Sequence, residues 1–432
     1  MATRRTHQLT AALLLSMLST SGWSAGFAIS EQSVTGLGRA FAGSAAVAED
    51  ASTIFYNPAG LTYLAQPELD VGLHIIDPKS DFSNNGSNIG GILPITGPND
   101  DGGKTALVPN LYYAHKINNR WFAGIGINAP FGLVTEYNDN WVGRYHAIKS
   151  DLKTININPS FAFKVTDKWS FGAGINLQKI DLKLTQAVDF GAIFTTPQTA
   201  DGKVYLSADD WSWGYNLGIM YQPTNATRLA LSYRSKISQH LKGTGRFAYP
   251  NATIQTLATT LAGFKDGHIE GKVTLPETVS FAFYHQLNTQ WAVMADATLT
   301  RWNRFSDLTI VSSDSLRLNS SKPEHWRNSM RYGLGVNYQH NNKWTFRGGI
   351  AYDESPIATR YRTPRIPGED RKWVALGATY HYSHHILIDA GYTHIFVKDP
   401  KLDDVTPTGY ALTGKFNANV DIFSMQLRWL FQ

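Results

Sequence analysis

The sequence has no cysteine, so it forms no disulfide, offers no thiolate nucleophile and builds no Cys-based metal site. Charge is scarce as well: Asp, Glu, Lys and Arg make up 17% of the residues. Long apolar runs are missing. Apart from AALLLSML near the start, no stretch approaches the roughly 20 residues that a spanning helix needs, and the mean hydropathy is −0.24. These shortages argue against a helical membrane protein. Sequence signs of catalysis are equally lacking. There is no G-x-S-x-G elbow and no H-E-x-x-H pair, and GLGRAFAG is not a dinucleotide fingerprint, because Phe41 stands where its last glycine belongs. The 13 histidines are scattered; His384 and His385 sit in an expected turn, where solvation explains them. The reading is therefore of a non-enzyme with no cofactor and no metal.

What the chain does contain begins with a leader. Arg4 and Arg5 precede the one apolar run, and SGWSA follows it, the arrangement of a secretory signal peptide. A cut after Ser24 leaves small residues at both recognition positions, whereas a cut after Ala25 puts Trp23 at one of them, so the first is favoured and residues 1–24 are assigned to the signal. Loss of the two arginines lowers the formal charge of +5 to +3, and nothing suggests a nucleic-acid partner.

From about residue 68 onward the dominant pattern is alternation with period two, the mark of strands with two unlike faces. Trp169, Phe171, Ala173, Ile175 and Leu177 alternate with Ser170, Gly172, Gly174, Asn176 and Gln178, and Val374, Leu376, Ala378, Tyr380 and Tyr382 share one face. A soluble sandwich alternates too, so the connections decide. Short turns at 117–121, 165–169, 222–228, 287–291, 340–344 and 383–385 alternate with longer polar stretches at about 80–103, 131–150, 190–204, 246–268, 312–324, 358–370 and 399–414. Short turns on one side and long loops on the other describe an outer-membrane barrel. Six turns and seven loops link about 14 antiparallel transmembrane strands, over residues 67–432. Trp121, Trp169, Trp291 and Trp344 each follow a short turn, as an interfacial aromatic girdle would place them.

Residues 25–66 break this pattern. They are rich in Gly, Ala and Ser, have a helix-compatible centre around Ala40 to Ala51, and end on the Asn57-Pro58-Ala59 turn. In a barrel of roughly 14 strands the lumen is too wide for wall side chains to fill, so this segment is expected to be an N-terminal hatch inside it. Pro58 removes a backbone donor and biases Asn57 away from helix; an ordinary Asn-Pro turn with no part in transport reads the same locally.

AGF at the mature start, GLGRAFAG and NPAGL in the expected hatch, LKTININPSFAFKV in the fourth strand, WRNSMRYGLGVNYQHNNKWTFRGGIAYDESP in the tenth and eleventh, and IPGEDRKW before the twelfth form a specific set. In these motifs the chain resembles the FadL family of outer-membrane transporters for long-chain fatty acids and other hydrophobic compounds. The resemblance implies that Asn57, Pro58 and Ala59 shape the hatch gate and that Phe27, near the mature N-terminus, touches ligand. It also implies lateral exit at an inward kink in the third strand, here GIGINAPFGL with Gly124, Gly126, Pro130 and Gly132; Pro130 ending the strand is the plainer alternative. Two basic residues receive the carboxylate in fatty-acid-transporting relatives. One matches Lys322, which could equally be a solvated loop lysine. The other falls on uncharged Gln186, so that Lys183 or Arg234 substitutes, or the ligand is neutral.

The expected function is energy-independent uptake of long-chain fatty acids or similar hydrophobic molecules across the bacterial outer membrane. Uptake of uncharged aromatic or other hydrocarbons is the alternative, and a general diffusion porin is a third reading that the hatch opposes. Expected partners are the ligand, outer-membrane lipid with lipopolysaccharide, and the barrel-assembly machinery during biogenesis.

Overall fold

The computed structural model describes residues 26–431; the expected leader and the choice of cut after Ser24 or Ala25 lie outside the described residues. The chain is a closed antiparallel barrel of 14 strands. β1 (Glu68–Asn84) and β2 (Ala106–Lys116) lead to β3, which is in two pieces, Trp121–Asn128 and Gly132–Glu136. Then come β4 (Lys149–Lys164), β5 (Trp169–Asp189) and β6 (Asp201–Thr224). β7 (Thr227–Arg234 and Ile237–Ala248) and β8 (Gly267–Leu275 and Thr278–Gln286) are also interrupted. β9 (Trp291–Thr300), β10 (Ser329–Gln339), β11 (Trp344–Asp353), β12 (Arg371–His381), β13 (Ile386–Val397) and β14 (Tyr410–Leu430) complete the wall. β1 pairs with β2 on one side and with β14 on the other, from Glu68↔Leu430 to Asn84↔Gly414, which closes the cylinder.

The short turns form because an asparagine caps them from within. The Asn118, Asn288 and Asn341 side-chain oxygens each accept from the backbone N–H groups two and three residues on, at 2.8–2.9 Å, so each turn supplies its own acceptor. The second of those N–H groups belongs to the tryptophan that opens the next strand. Trp121, Trp169, Trp291 and Trp344 project outward and pack on Phe163, Tyr221, Tyr338 and Tyr380 of the adjacent strands, with ring centroids 4.4–4.7 Å apart. Apolar side chains such as Phe171, Ile175, Leu376 and Met425 cover the outer face. The inner face mixes polar and small residues such as Asn156, Asn176 and Gly218 with apolar ones that pack on the hatch, such as Tyr112, Met220 and Trp373.

On the long-loop side the strands run further than their alternation suggests. β1 continues to Asn84, β6 begins at Asp201, and residues 401–405 and 132–136, expected in loops, pair in the sheet.

Residues 26–66 fill the lumen. The helical centre expected over Ala40 to Ala51 is not a continuous helix: three single turns, α1 (Val34–Leu37), α2 (Ser44–Val47) and α3 (Thr53–Tyr56), are separated by left-handed residues Ala40, Phe41, Gly43 and Ala48 at φ of 44–67°. These left-handed positions let the chain fold back within the cylinder. Buried ion pairs bolt the hatch to the wall. Glu49 meets Arg39 at 2.7 Å and Arg347 of β11 at 3.2 Å, and Arg428 of β14 donates to the Glu49 carbonyl at 2.9 Å.

Candidate functional site

The wall has a defect at β3. The ladder to β4 pairs Asn128 with Asn156 and resumes with Gly132 opposite Lys153, where an unbroken ladder would set Gly132 opposite Leu152. One extra residue is thus inserted, as in a β-bulge, and the face presented by the strand flips across it. Before the break even-numbered residues point inward; after it Phe131, Leu133 and Thr135 do. Pro130 lies at the insertion and has no N–H to give the ladder. On the other side β2 pairs with β3 only from Leu111 to Lys116, so Ala106–Asn110 are bonded to β1 alone.

The N-terminal segment takes up part of this edge. Ile29 N–H donates to the Pro130 carbonyl at 2.9 Å and Gly132 N–H to the Phe27 carbonyl at 3.0 Å, and Ala28 bridges Phe131. The backbone so held puts Phe27 at the centre of an aromatic cluster: edge-on contacts join it to Trp302 at 5.0 Å, Phe305 at 5.4 Å, Trp326 at 5.8 Å and Phe131 at 6.0 Å. A cavity of about 540 Å³ lies beside it at the break. Its lining runs from lumen-facing Phe27, Ile76 and Val108 to Leu107, Ile127 and Ile155 on the exposed outer face, so it crosses the wall.

A charged patch borders the cluster on the long-loop side. Lys322 is not a free cation: its Nζ donates to Asp404 at 2.6 Å, and His146 Nδ1 lies 2.9 Å from the other oxygen of that carboxylate. Burial alone would raise the Asp404 carboxyl; the bonds and charges of His146 and Lys322 outweigh it and hold the group below its ordinary range. Glu324, two residues beyond Lys322, accepts from the indole of Trp326 at 2.9 Å, and burial pushes its carboxyl up to about 7 against the opposing pull of that indole and of Lys322.

Gln186 meets a cation that spacing did not reveal. Its side-chain oxygen accepts from Arg365 Nη2 at 2.7 Å, while Arg365 Nη1 donates to the Lys149 carbonyl at 3.1 Å and to Ser150 Oγ at 3.0 Å. Burial draws the Arg365 guanidinium down to about 10, against the pull of Asp404 and Glu324, so it stays charged at neutral pH. Its loop is tied to the outer half of β3, where Thr135 and the Tyr137 hydroxyl donate to the Arg365 and Pro364 carbonyls at 3.1 and 2.8 Å. The signal that could have found Arg365 is the basic loop RTPRIPGED, read for charge rather than for strand position.

The other expected residues fall as follows. Lys183 is exposed on the outer face of β5, where even-numbered residues point inward, and does not reach the lumen. Arg234 is inside but engaged, donating to Asn176 and at 2.8 Å to the Phe55 carbonyl of the hatch, with its guanidinium 4.1 Å from the Phe55 ring. Gly132 is at the break, where a Cβ would lie 2.6 Å from Ile29. Gly124 and Gly126 lie in the regular part of β3: a Cβ would meet hatch residue Ile54 at 2.6 Å in one case and the Tyr112 ring at 2.8 Å in the other, so their smallness admits neighbouring side chains.

Asn57, Pro58 and Ala59 form one buried joint. Asn57 closes α3, where its N–H bonds the Thr53 carbonyl at 2.8 Å, and opens the 3-10 helix Pro58–Tyr63, where its Oδ1 accepts from Ala59 N–H at 3.0 Å. Its amide also donates to the Ala45 carbonyl at 2.9 Å and, across to β6, to the Ile219 carbonyl at 3.2 Å. Paired glycines make room in the wall. A Cβ on Gly172 would overlap Ala59 N, and one on Gly218 would overlap Asn57 Oδ1.

Residues 15–431 match the model of a family described as outer membrane protein transport protein (OMPP1/FadL/TodX). The chain belongs to this family. The long-chain fatty acid transport protein of Escherichia coli strain K12 is 32% identical over 91% of this chain and 92% of its own. Outer membrane protein P1 of Haemophilus influenzae is 29% identical over 94% of this chain and 95% of its own. Among solved structures, a Pseudomonas aeruginosa FadL homologue superposes with a TM-score of 0.88 at 27% identity, over 94% of this chain and all of that one. The toluene transporter TodX of P. putida shares the fold, with a TM-score of 0.68 at 17% identity, over 88% of this chain and 94% of that one. Family membership places the chain in the outer membrane, among transport proteins.

Proposed function

We propose that this protein carries long-chain fatty acids, or closely similar amphiphiles, passively across the outer membrane and delivers them sideways into the bilayer. The observation that carries the reading is the cavity crossing the wall at β3, apolar over most of its lining, with two cations, Lys322 and Arg365, on the long-loop side of the neighbouring aromatic cluster. An alkyl chain gains about 0.8 kcal/mol per CH₂ by staying out of water, so leaving through the wall is favoured over release into the periplasm. A carboxylate entering a buried site needs a cationic partner, and Arg365 offers one where Gln186 cannot. Phe27 and its aromatic neighbours are the ligand contacts, and the joint at Asn57, Pro58 and Ala59 sets the position of the hatch below them. Lipopolysaccharide around the outer rim and the barrel-assembly machinery are the partners this placement calls for.

Uptake of neutral aromatic hydrocarbons is the second reading. Uncharged Gln186 favours it, and the cations around Gln186 oppose it. Titration of delipidated protein in detergent with oleate and separately with toluene decides between them, because Trp302 and Trp326 report on the cluster by fluorescence. Oleate binding weakened by Arg365→Gln and by Lys322→Ala supports the proposal. Tighter binding of toluene, indifferent to both substitutions, overturns it in favour of the neutral ligand.

A further inference from the structure

Away from the patch at Lys322 and Arg365, the lumen holds a second polar group that the transport path described above does not use. β10, β11 and β12 bring Arg331, Asp353 and Arg371 into one row, Arg331 opposite Asp353 and Asp353 opposite Arg371. Arg371 lines the cavity of about 540 Å³ at the wall break. Arg331 and Asp353 line another, of about 160 Å³, and Ala28, Ile29 and Phe131 are common to both linings. The row therefore spans the partition that the N-terminal segment makes with the β3 break.

Several donors here lack an acceptor within bonding distance. Arg331 is partly satisfied, with Nη1 3.3 Å from Asp296 and Nη2 donating to the Ala40 carbonyl. Three buried N–H groups have no acceptor among the described residues: Nε of Arg331, Nε of Arg371, and the indole Nε1 of Trp373, the next inward residue along β12. The Arg331 guanidinium lies 5.6 Å from the Trp373 ring, so the orphans are neighbours. Among the described residues no side chain bonds Arg371 directly, and its charge faces the carboxylates of Glu31 and Asp353. Buried donors left without acceptors are rare and costly, and all three ask for the same thing, an acceptor oxygen. A carboxylate brings two, with about four lone-pair sites; an ester brings no charge and a hydrocarbon brings nothing.

We propose that Arg371, with Arg331 and Trp373 behind it, is a second receiving site for the carboxylate of an alkyl ligand, occupied after the head group leaves Lys322 and Arg365 and before it passes the wall. The inference rests on the fatty-acid reading above. Asp353 between the two guanidiniums, Asp296 beside Arg331 and Glu31 on the cavity lining offset the charge of the two arginines. The site thus holds the head group less firmly than an isolated cation would, as a site that must release its occupant requires.

The test uses the full mature chain and oleate labelled with ¹³C at the carboxyl. Two bound carboxyl resonances are expected in the wild type; Arg371→Gln removes one and Arg365→Gln the other. In cells lacking any other outer-membrane route, Arg371→Gln lowers the ratio of oleate to methyl oleate uptake by about tenfold, the scale of a lost charge-assisted hydrogen bond, and Arg371→Lys restores most of it. A single bound resonance that survives Arg371→Gln overturns the second site and leaves the fatty-acid reading standing, and so does an equal fall in acid and ester uptake, which marks a merely structural arginine. No bound carboxyl resonance in the wild type overturns both.

Discussion

Glu324 joins the two halves of the candidate site, accepting from the indole of Trp326 in the aromatic cluster while standing two residues from Lys322 in the charged patch. Because burial lifts its carboxyl to about 7, it carries its proton below that pH and gains a negative charge above it. The added charge faces Lys322, Arg365, Asp404 and, through Asp404, His146. Oleate affinity is therefore expected to fall severalfold between about pH 6 and pH 8, and Glu324→Gln to flatten the profile, measured as Kd by tryptophan fluorescence. The stability sign follows from the same shift. A carboxyl that binds its proton more tightly folded than unfolded contributes stability at acid pH that is lost as pH rises from about 4.5 to about 7. Arg365→Gln is expected to weaken oleate binding by tenfold or more while methyl oleate binds as before. At this scale the sequence was only partly legible. Asn57, Pro58 and Phe27 carry local or motif signals. Arg365 does not, because its place beside Gln186 depends on a loop before β12 folding back over β3, β4 and β5. Lys183 misled for the complementary reason: one position along a strand separates lumen from exterior.

Hatch and wall fit through paired glycines at positions where any side chain would collide. Gly218→Val places branched carbons where Asn57 Oδ1 now sits, so it is expected to dislodge the joint at Pro58 without unfolding β6. The measurable result is an ion conductance in a planar bilayer larger than that of the wild type, with the barrel still shifting mobility on heating in gel electrophoresis. Wild-type conductance from a folded variant would mean that the joint does not hold the hatch. Strand alternation, the alternating short and long connections and the tryptophans after short turns made most elements legible. Two features were not. The hatch centre reads as helix by composition, yet left-handed Ala40, Phe41 and Ala48 break it, since filling a cylinder requires reversals that propensity does not encode. The break in β3 was expected only through the family resemblance, with Pro130 ending the strand as the alternative, and the single inserted residue that flips its faces appears only in the register against β4.

At the scale of the whole molecule, the wall turns most of its large exposed apolar side chains outward, while its interior holds the hatch, polar side chains and the buried apolar clusters around Phe27 and Trp141, so lipid contributes to stability alongside the interior packing. Met425 is 65% exposed on β14, among Phe423 and Leu427. Met425→Arg is expected to cost about 2–4 kcal/mol if that belt lies near mid-bilayer, read from urea-induced unfolding in lipid vesicles. The short-turn and long-loop asymmetry made this scale the most legible of the three, because a bilayer imposes it on every hairpin at once. What the architecture adds is a route. The cavity touches lumen and outer face together where β3 carries its extra residue. Deleting Pro130 alone returns β3 to unbroken register with β4, and the account is tested most directly by comparing oleate uptake and oleate binding in that variant and the wild type. The account predicts that uptake falls to the level of cells without the protein while binding to the folded barrel persists; uptake at the wild-type rate through the restored strand would contradict it.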